Sequence, residues 1–226
     1  MHRLAIICAL AASCSALASD FREPWMTVKD QGHYPFCVGH SLSDLLRWHL
    51  RDSGRADFQG SAQWIWATGK AHEDSHMPLG AFIGRGTKLG PALSGMKHCG
   101  VVPEAQFSSK AITLIAGGTL EYKALAANMR IRGYTATKRL RTALRWLKRA
   151  PVVIAVRVDE SFRGGIARDC PGEPTGESHA VIALGRKDGK VLVKNSWGTD
   201  WGDGGYLWVH ESWLEEAFIS AARIRL

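Results

Sequence analysis

A chain of 226 residues with 46% hydrophobic and 22% charged side chains is long enough to bury one sizeable core or two small ones, and it is too apolar to remain disordered. Its five cysteines include no pair at zinc-ligand spacing, so neither a metal nor a cofactor is expected. The formal net charge of +8 favours anionic partners, an envelope polymer among them, while no nucleic acid is expected.

Arg3, the apolar run from Leu4 to Ala12 and the small-residue site Ala16-Leu17-Ala18 read as a cleavable secretory leader over residues 1–18. The run is too short to span a bilayer. A mature chain from Ser19, secreted or periplasmic and without a transmembrane span, is the expectation. A lipoprotein reading would use Cys14, but Ala11 stands where that signal prefers leucine. Loss of the leader removes Arg3 and no acid, lowering the net charge to +7. It also leaves three cysteines, Cys37, Cys99 and Cys170, an odd number in an oxidising compartment. One thiol then stays unpaired. A Cys99–Cys170 disulfide would spare Cys37, and the sequence leaves open whether the two approach.

After an extended start with Phe21, Pro24 and Trp25, a turn at Pro35 leads into a helix over residues 37–50, with Val38, Leu42, Leu45 and Leu46 on one face. Further helices are expected at 61–71, 89–98 and 120–129, and a loop with Pro78, Gly80, Gly84 and Gly86 at 72–88. Thr137 is expected to cap a basic amphipathic helix over 138–149, stopped by Pro151. The plain reading of its arginines and lysines is a solvated face; the alternative is a polyanion-binding patch. Strands follow at 152–156, 180–184, 191–194, 206–209 and 220–226, with Asp188-Gly189 marking a hairpin. The result is an α+β chain of two lobes: a helical lobe over about 37–130, and a sheet lobe over about 131–226 joined by the N-terminal segment. Residues 19–226 are expected to form one domain, acting as a monomer.

Three motifs carry chemistry. Gln31-Gly32 precedes Cys37 at a helix start; Ser178-His179-Ala180 offers an imidazole; Asn195-Ser196-Trp197-Gly198 offers an amide that can orient it. Each alone is weak, because buried cysteines, core histidines and turn asparagines are common. In this order, over nearly the whole mature chain, they resemble the papain family of cysteine peptidases. The separation of roughly 130 to 150 residues between thiol and imidazole is part of that resemblance, not a separate derivation.

The resemblance implies a papain-like fold with a cleft between the lobes. It also implies a Cys37 nucleophile resting as a thiolate beside a His179 imidazolium, with Asn195 holding the ring and Gln31 donating to the oxyanion. Trp197 would shield the His179–Asn195 bond. His40, one helical turn after Cys37, is a candidate to perturb it. Departures from the family pattern are Tyr34, Val38 and His40, where a cysteine, a tryptophan and a phenylalanine are usual. The glycine pair that commonly binds substrate backbone has no clean match, with Gly84 or Gly86 as candidates. With the leader read as above, the segment matching the family's mature start is expected to follow it almost directly, and no inhibitory propeptide is expected between them. A secreted peptidase acting on proteins or peptides is the leading expectation. A cell-wall peptide hydrolase or amidase of the same chemistry and a silent peptide-binding scaffold are the alternatives.

Overall fold

The computed structural model describes residues 18–74, 84–107, 129–170 and 172–226. Within that range the order is β1 (Ser19–Asp20), α1 (Cys37–Asp52), α2 (Ala62–Glu73), α3 (Leu89–His98), β2 (Gly133–Thr137), α4 (Leu140–Trp146), β3 (Val152–Asp159), α5 (Glu160–Arg163), β4 (Pro174–Lys187), β5 (Lys190–Lys194), β6 (Tyr206–His210), α6 (Glu211–Ala217) and β7 (Phe218–Arg225). The expected leader up to Leu17, the loop positions Pro78 and Gly80, and the helix expected from 120 to 128 lie outside the described residues. Among the described residues no helix is long and apolar enough to cross a membrane.

The apolar stripe of α1 buries Val38, Leu42, Leu45 and Leu46 as its helical spacing requires, and Gly39, Ser41, Ser43 and Asp44 are buried as well. Such all-round burial follows from position, because α1 lies between the other helices and the sheet. At Gly39 a Cβ would lie 2.0 Å from the Ala62 carbonyl oxygen, so the absence of a side chain lets α2 cross this closely. Ser61 caps α2, its hydroxyl accepting from the Trp64 N–H at 3.0 Å.

The strands form one antiparallel sheet in the order β2-β7-β3-β4-β5-β6. Strand β3 begins opposite Ala183, which leaves the last residues of β4 with an open edge, and β1 covers it through Ser19 and Asp20. The hairpin between β4 and β5 turns through Asp188 (φ 50°) and Gly189 (φ 70°), the two left-handed positions that an Asp-Gly turn supplies. Alternation divides β4 cleanly. Ala180, Ile182 and Leu184 pack toward α1, α2 and α3, while Val181 and Ala183 face Ala143, Trp213 and Leu214 of α4 and α6. A sheet buried on both faces, helical chain first and strands second, is an α+β fold.

Several expectations need correcting. The basic helix is shorter than 138–149: it runs from Leu140 to Trp146, and Thr137 ends β2 instead of capping it. The Thr137 hydroxyl does bond the Arg139 N–H at 3.1 Å, a local turn that starts the chain toward the helix. At the other end the Arg149 N–H bonds the Trp146 carbonyl three residues back, tightening the chain before Pro151, which disfavours helical backbone at Ala150. Cys99 and Cys170 form no disulfide; the Cys99 sulfur lies 3.7 Å from His72 Nε2, and Cys170 is exposed.

Candidate active site

Cys37 is the first residue of α1, and Phe36 before it supplies no side-chain cap, so the first-turn N–H groups are left to other partners. The backbone N–H groups of Ala180, Val38 and Cys37 itself act on the Cys37 sulfur. Ala180 belongs to β4, and the adjoining turn of α1 is tied to the same residue, the Ser41 hydroxyl donating to the Ala180 carbonyl at 3.0 Å. The start of α1 is thereby tied to the strand residue that follows His179.

His179 is 6% exposed and pairs with Asn195, Nε2 to Oδ1, at 2.7 Å. Asn195 Oδ1 also accepts from the Ser196 N–H at 2.8 Å. A backbone N–H can only donate, so the contact identifies the amide oxygen, and the His179 Nε2 facing it must carry a hydrogen. The neutral ring is therefore protonated on Nε2 and keeps a lone pair on Nδ1. Trp197 lies with its ring centroid 4.3 Å from that of His179, and Phe162 lies 6.0 Å from Trp197.

Gln31 is held at three points: its N–H donates to the Ser196 carbonyl at 2.8 Å, its Oε1 accepts from the Ser196 hydroxyl at 2.6 Å, and its Nε2 donates to the Tyr34 carbonyl at 2.7 Å. A side-chain amide has two N–H bonds, so one remains for a ligand. An Asp30–Trp197 bridge and the bond from the Gly198 N–H to the Lys29 carbonyl extend this pairing. Residues 29–31 and 195–198 form a short stitched seam.

Gln31, Cys37, His179 and Trp197 line one cleft of about 760 Å³, with Gly84, Gly86, Thr87 and Leu89 on one side and Ala155, Ile219 and Ser220 on the other. Asn195, 2% exposed, stands behind His179. Three of the four residues singled out in the sequence thus line the cleft, and the fourth, Asn195, is bonded to His179. Sequence reasoning missed Ser196, which fixes both Gln31 and Asn195, and Ala180, whose N–H acts on the sulfur. Only their adjacency to named motifs hinted at them.

Burial is the largest influence on the titration of both Cys37 and His179. Burial pushes the Cys37 thiol up from its ordinary value, and the three N–H groups pull it back only in part. Burial likewise pushes His179 down to about 4, opposed by the Asn195 bond and reinforced by His40. Burial thus disfavours the charged form of each group taken by itself. His40 acts on the imidazole. It is itself pushed down to about 4 by burial, against the pull of Asp44.

A family profile described as papain family cysteine protease matches residues 95–222, more than half of the chain. A cathepsin L-like proteinase of Fasciola hepatica is 28% identical over 190 residues, covering 80% of this chain and 55% of that protein. The thiol protease aleurain of Arabidopsis thaliana is 48% identical over 66 residues, 25% of this chain and 18% of its own length. The chain thus spans about half, or less, of these curated relatives. Among solved structures, xylellain, a cysteine protease from Xylella fastidiosa, superposes with a TM-score of 0.75 at 19% identity, covering 93% of this chain and 86% of its own, and that likeness carries the fold.

Proposed function

The chain belongs to the papain family of cysteine proteases, and from that premise we propose that it hydrolyses peptide bonds through Cys37, His179, Asn195 and Gln31. The observation that carries the reading is the 2.7 Å bond from His179 Nε2 to Asn195 Oδ1, which leaves Nδ1 as the base in the cleft that Cys37 shares.

In the proposed cycle Nδ1 takes the thiol proton while the sulfur attacks the peptide carbonyl carbon. The carbonyl oxygen becomes an oxyanion held by the Cys37 N–H and the spare N–H of Gln31 Nε2. The tetrahedral species collapses as the C–N bond breaks and the imidazolium returns its proton to the leaving nitrogen, giving a thioester and a free amine. A water, deprotonated by Nδ1, then attacks the thioester, releasing a carboxylic acid and regenerating the thiol. The neutral Asn195 amide suits a ring whose positive form has the thiolate as its counter-ion. Trp197 over the ring keeps water from competing for the Asn195 bond.

Gly84 and Gly86 line the cleft without side chains, Gly84 with open space where a Cβ would stand and Gly86 with only the Pro35 carbonyl oxygen 3.8 Å from that point, which supports their offering backbone hydrogen bonds to an extended substrate. The apolar wall made by Val38, Leu89, Ala155, Ala180 and Ile219 supports acceptance of an aliphatic side chain. The leader features Arg3, Leu4 to Ala12 and Ala16-Leu17-Ala18 support action outside the cytoplasm, on proteins or peptides there.

Incubation of the purified mature chain, under reducing conditions, with a mixed peptide library tests this reading. New amino termini are expected from the wild type and none from Cys37→Ala. Equal fragment patterns from both proteins, or none from either with the fold intact, would refute it.

A further inference from the structure

A second concave site lies away from the cleft. Arg145, Lys148 and Arg149 from α4 and the turn after it make one wall, Arg223 and Arg225 of β7 the other, and Val152 and Ile224 lie between, enclosing about 730 Å³. All five cations are exposed. Among the described residues none has a carboxylate within ion-pair distance, whereas Arg22, Arg47, Arg51, Arg163 and Arg186 elsewhere each do. The groove is lined by no acid. A solvated helix face accounts for the first wall but not for the second, which arrives from a strand some 75 residues later and aims the same charge at the same space. Gly133 makes room for it: a Cβ there would stand 2.8 Å from the Arg225 guanidinium.

Five like charges facing one another without counter-charges repel, and an anionic ligand relieves that repulsion while releasing counter-ions. Trp146 in the groove has its ring face covered by the Arg223 guanidinium, 4.8 Å from the centroid. One ring face is therefore already taken by a guanidinium, and among the described residues the groove has no aromatic side chain besides Trp146 and His49 on which successive bases could stack, as sequence-tolerant binders of single-stranded nucleic acids require. What the groove offers is charge and N–H donors, in the forked geometry that matches sulfate and phosphate oxygens. We propose that this groove binds a linear anionic polysaccharide bearing sulfate or phosphate groups, and so tethers the protein to such a polymer.

The same two strands reach the catalytic cleft at Ala155, Ile219 and Ser220. From Val152 to Ala155 is three residues, roughly 10 Å at about 3.4 Å per residue. A polymer in the groove leaves the cleft open, so tethering and hydrolysis can proceed together.

Titration of the wild type with a heparin octasaccharide, at salt from about 50 to 200 mM, is expected to show affinity falling steeply with salt, as contacts with several anions require. The helix-wall variant Arg145→Gln/Lys148→Gln/Arg149→Gln and the strand-wall variant Arg223→Gln/Arg225→Gln should each lose affinity about 10-fold or more and flatten the salt dependence. A control with equal loss of charge, Arg55→Gln/Lys97→Gln/Lys187→Gln, should lose less than about 3-fold. Equal losses in helix-wall variant and control would mean diffuse attraction and overturn the site. Loss confined to the helix-wall variant would overturn the groove, and tighter binding of an oligothymidylate of equal charge would overturn the polysaccharide assignment. Unfolding midpoints of the variants close to that of the wild type identify the losses as binding effects.

Discussion

The Ser196 hydroxyl donates to Gln31 Oε1 at 2.6 Å, and the Ser196 N–H donates to Asn195 Oδ1 at 2.8 Å. One residue thus fixes the orientation of two amides: it turns the Gln31 nitrogen toward the cleft and the Asn195 oxygen toward His179. Ser196→Ala removes the hydroxyl and keeps the N–H, so the two effects separate. The expected result is a loss of kcat of up to about 10-fold with KM little changed, the worth of one neutral hydrogen bond of about 1 kcal/mol that positions an oxyanion donor. Steady-state kinetics on a fluorogenic peptide measure it. Gln31→Ala, which removes the donor itself, should cost about 100-fold to 1,000-fold.

Asn195→Ala is expected to lower kcat by roughly 10-fold to 150-fold, the range of about 1.5 to 3 kcal/mol for a hydrogen bond to a charged partner. Substrate binding should change less, because Asn195 stands behind the imidazole. A KM effect as large as the kcat effect would assign Asn195 to packing instead.

The Asp44 carboxylate of α1 and the Lys194 ammonium of β5 are paired in the interior, with the lysine side chain 2% exposed, one residue before Asn195. Asp44→Asn leaves a buried cation without its counter-charge and should destabilise the fold by about 3 to 5 kcal/mol. Asp44→Leu/Lys194→Met, which removes both charges, should recover most of that loss. Urea unfolding of the two variants tests the pair; equal destabilisation would show that the contact, not the charge, matters.

Stability should fall on acidification through a window set by two histidines. His40 and His179 are each held near 4 in the fold, against an ordinary value of 6.5. Below 6.5 the unfolded chain takes up protons that the native chain does not, so stability is full above that pH and is lost progressively as pH falls toward 4. Each histidine accounts for about 2 kcal/mol between pH 7.5 and 5. Around His40 the charged groups Asp44, Lys29, Glu104 and Lys194 partly offset one another. His40→Phe should flatten the pH dependence of the urea midpoint by about half, with the pH dependence of His179 remaining. An unchanged slope would remove His40 from the account.

Much of this site was legible in the sequence because its parts lie in short motifs at element ends. A thiol after a proline turn, an imidazole in a β-branched and small apolar run, and an amide before Ser-Trp-Gly can be read locally. The α1 stripe and the Asp188-Gly189 hairpin were legible for the same reason. Edge strand β2 was not, because its middle residues Tyr134, Thr135 and Ala136 are exposed and show no alternation. Helix α6 was hidden by its length of seven residues between two strands. Burial, the largest influence on Cys37 and on His179, was not legible because it depends on residues far away in the chain.

The central claim is that His179 raises the reactivity of the Cys37 sulfur by taking its proton across the cleft. The most direct measurement is the rate at which an epoxysuccinyl reagent modifies Cys37 in the reduced protein, followed by mass spectrometry from pH 4 to 9. The account predicts one adduct per wild-type chain, on Cys37, and slow labelling of His179→Ala at pH 7, where only helix start and N–H groups oppose the effect of burial. Equal labelling rates in the two proteins, or modification of Cys170 in place of Cys37, would contradict it.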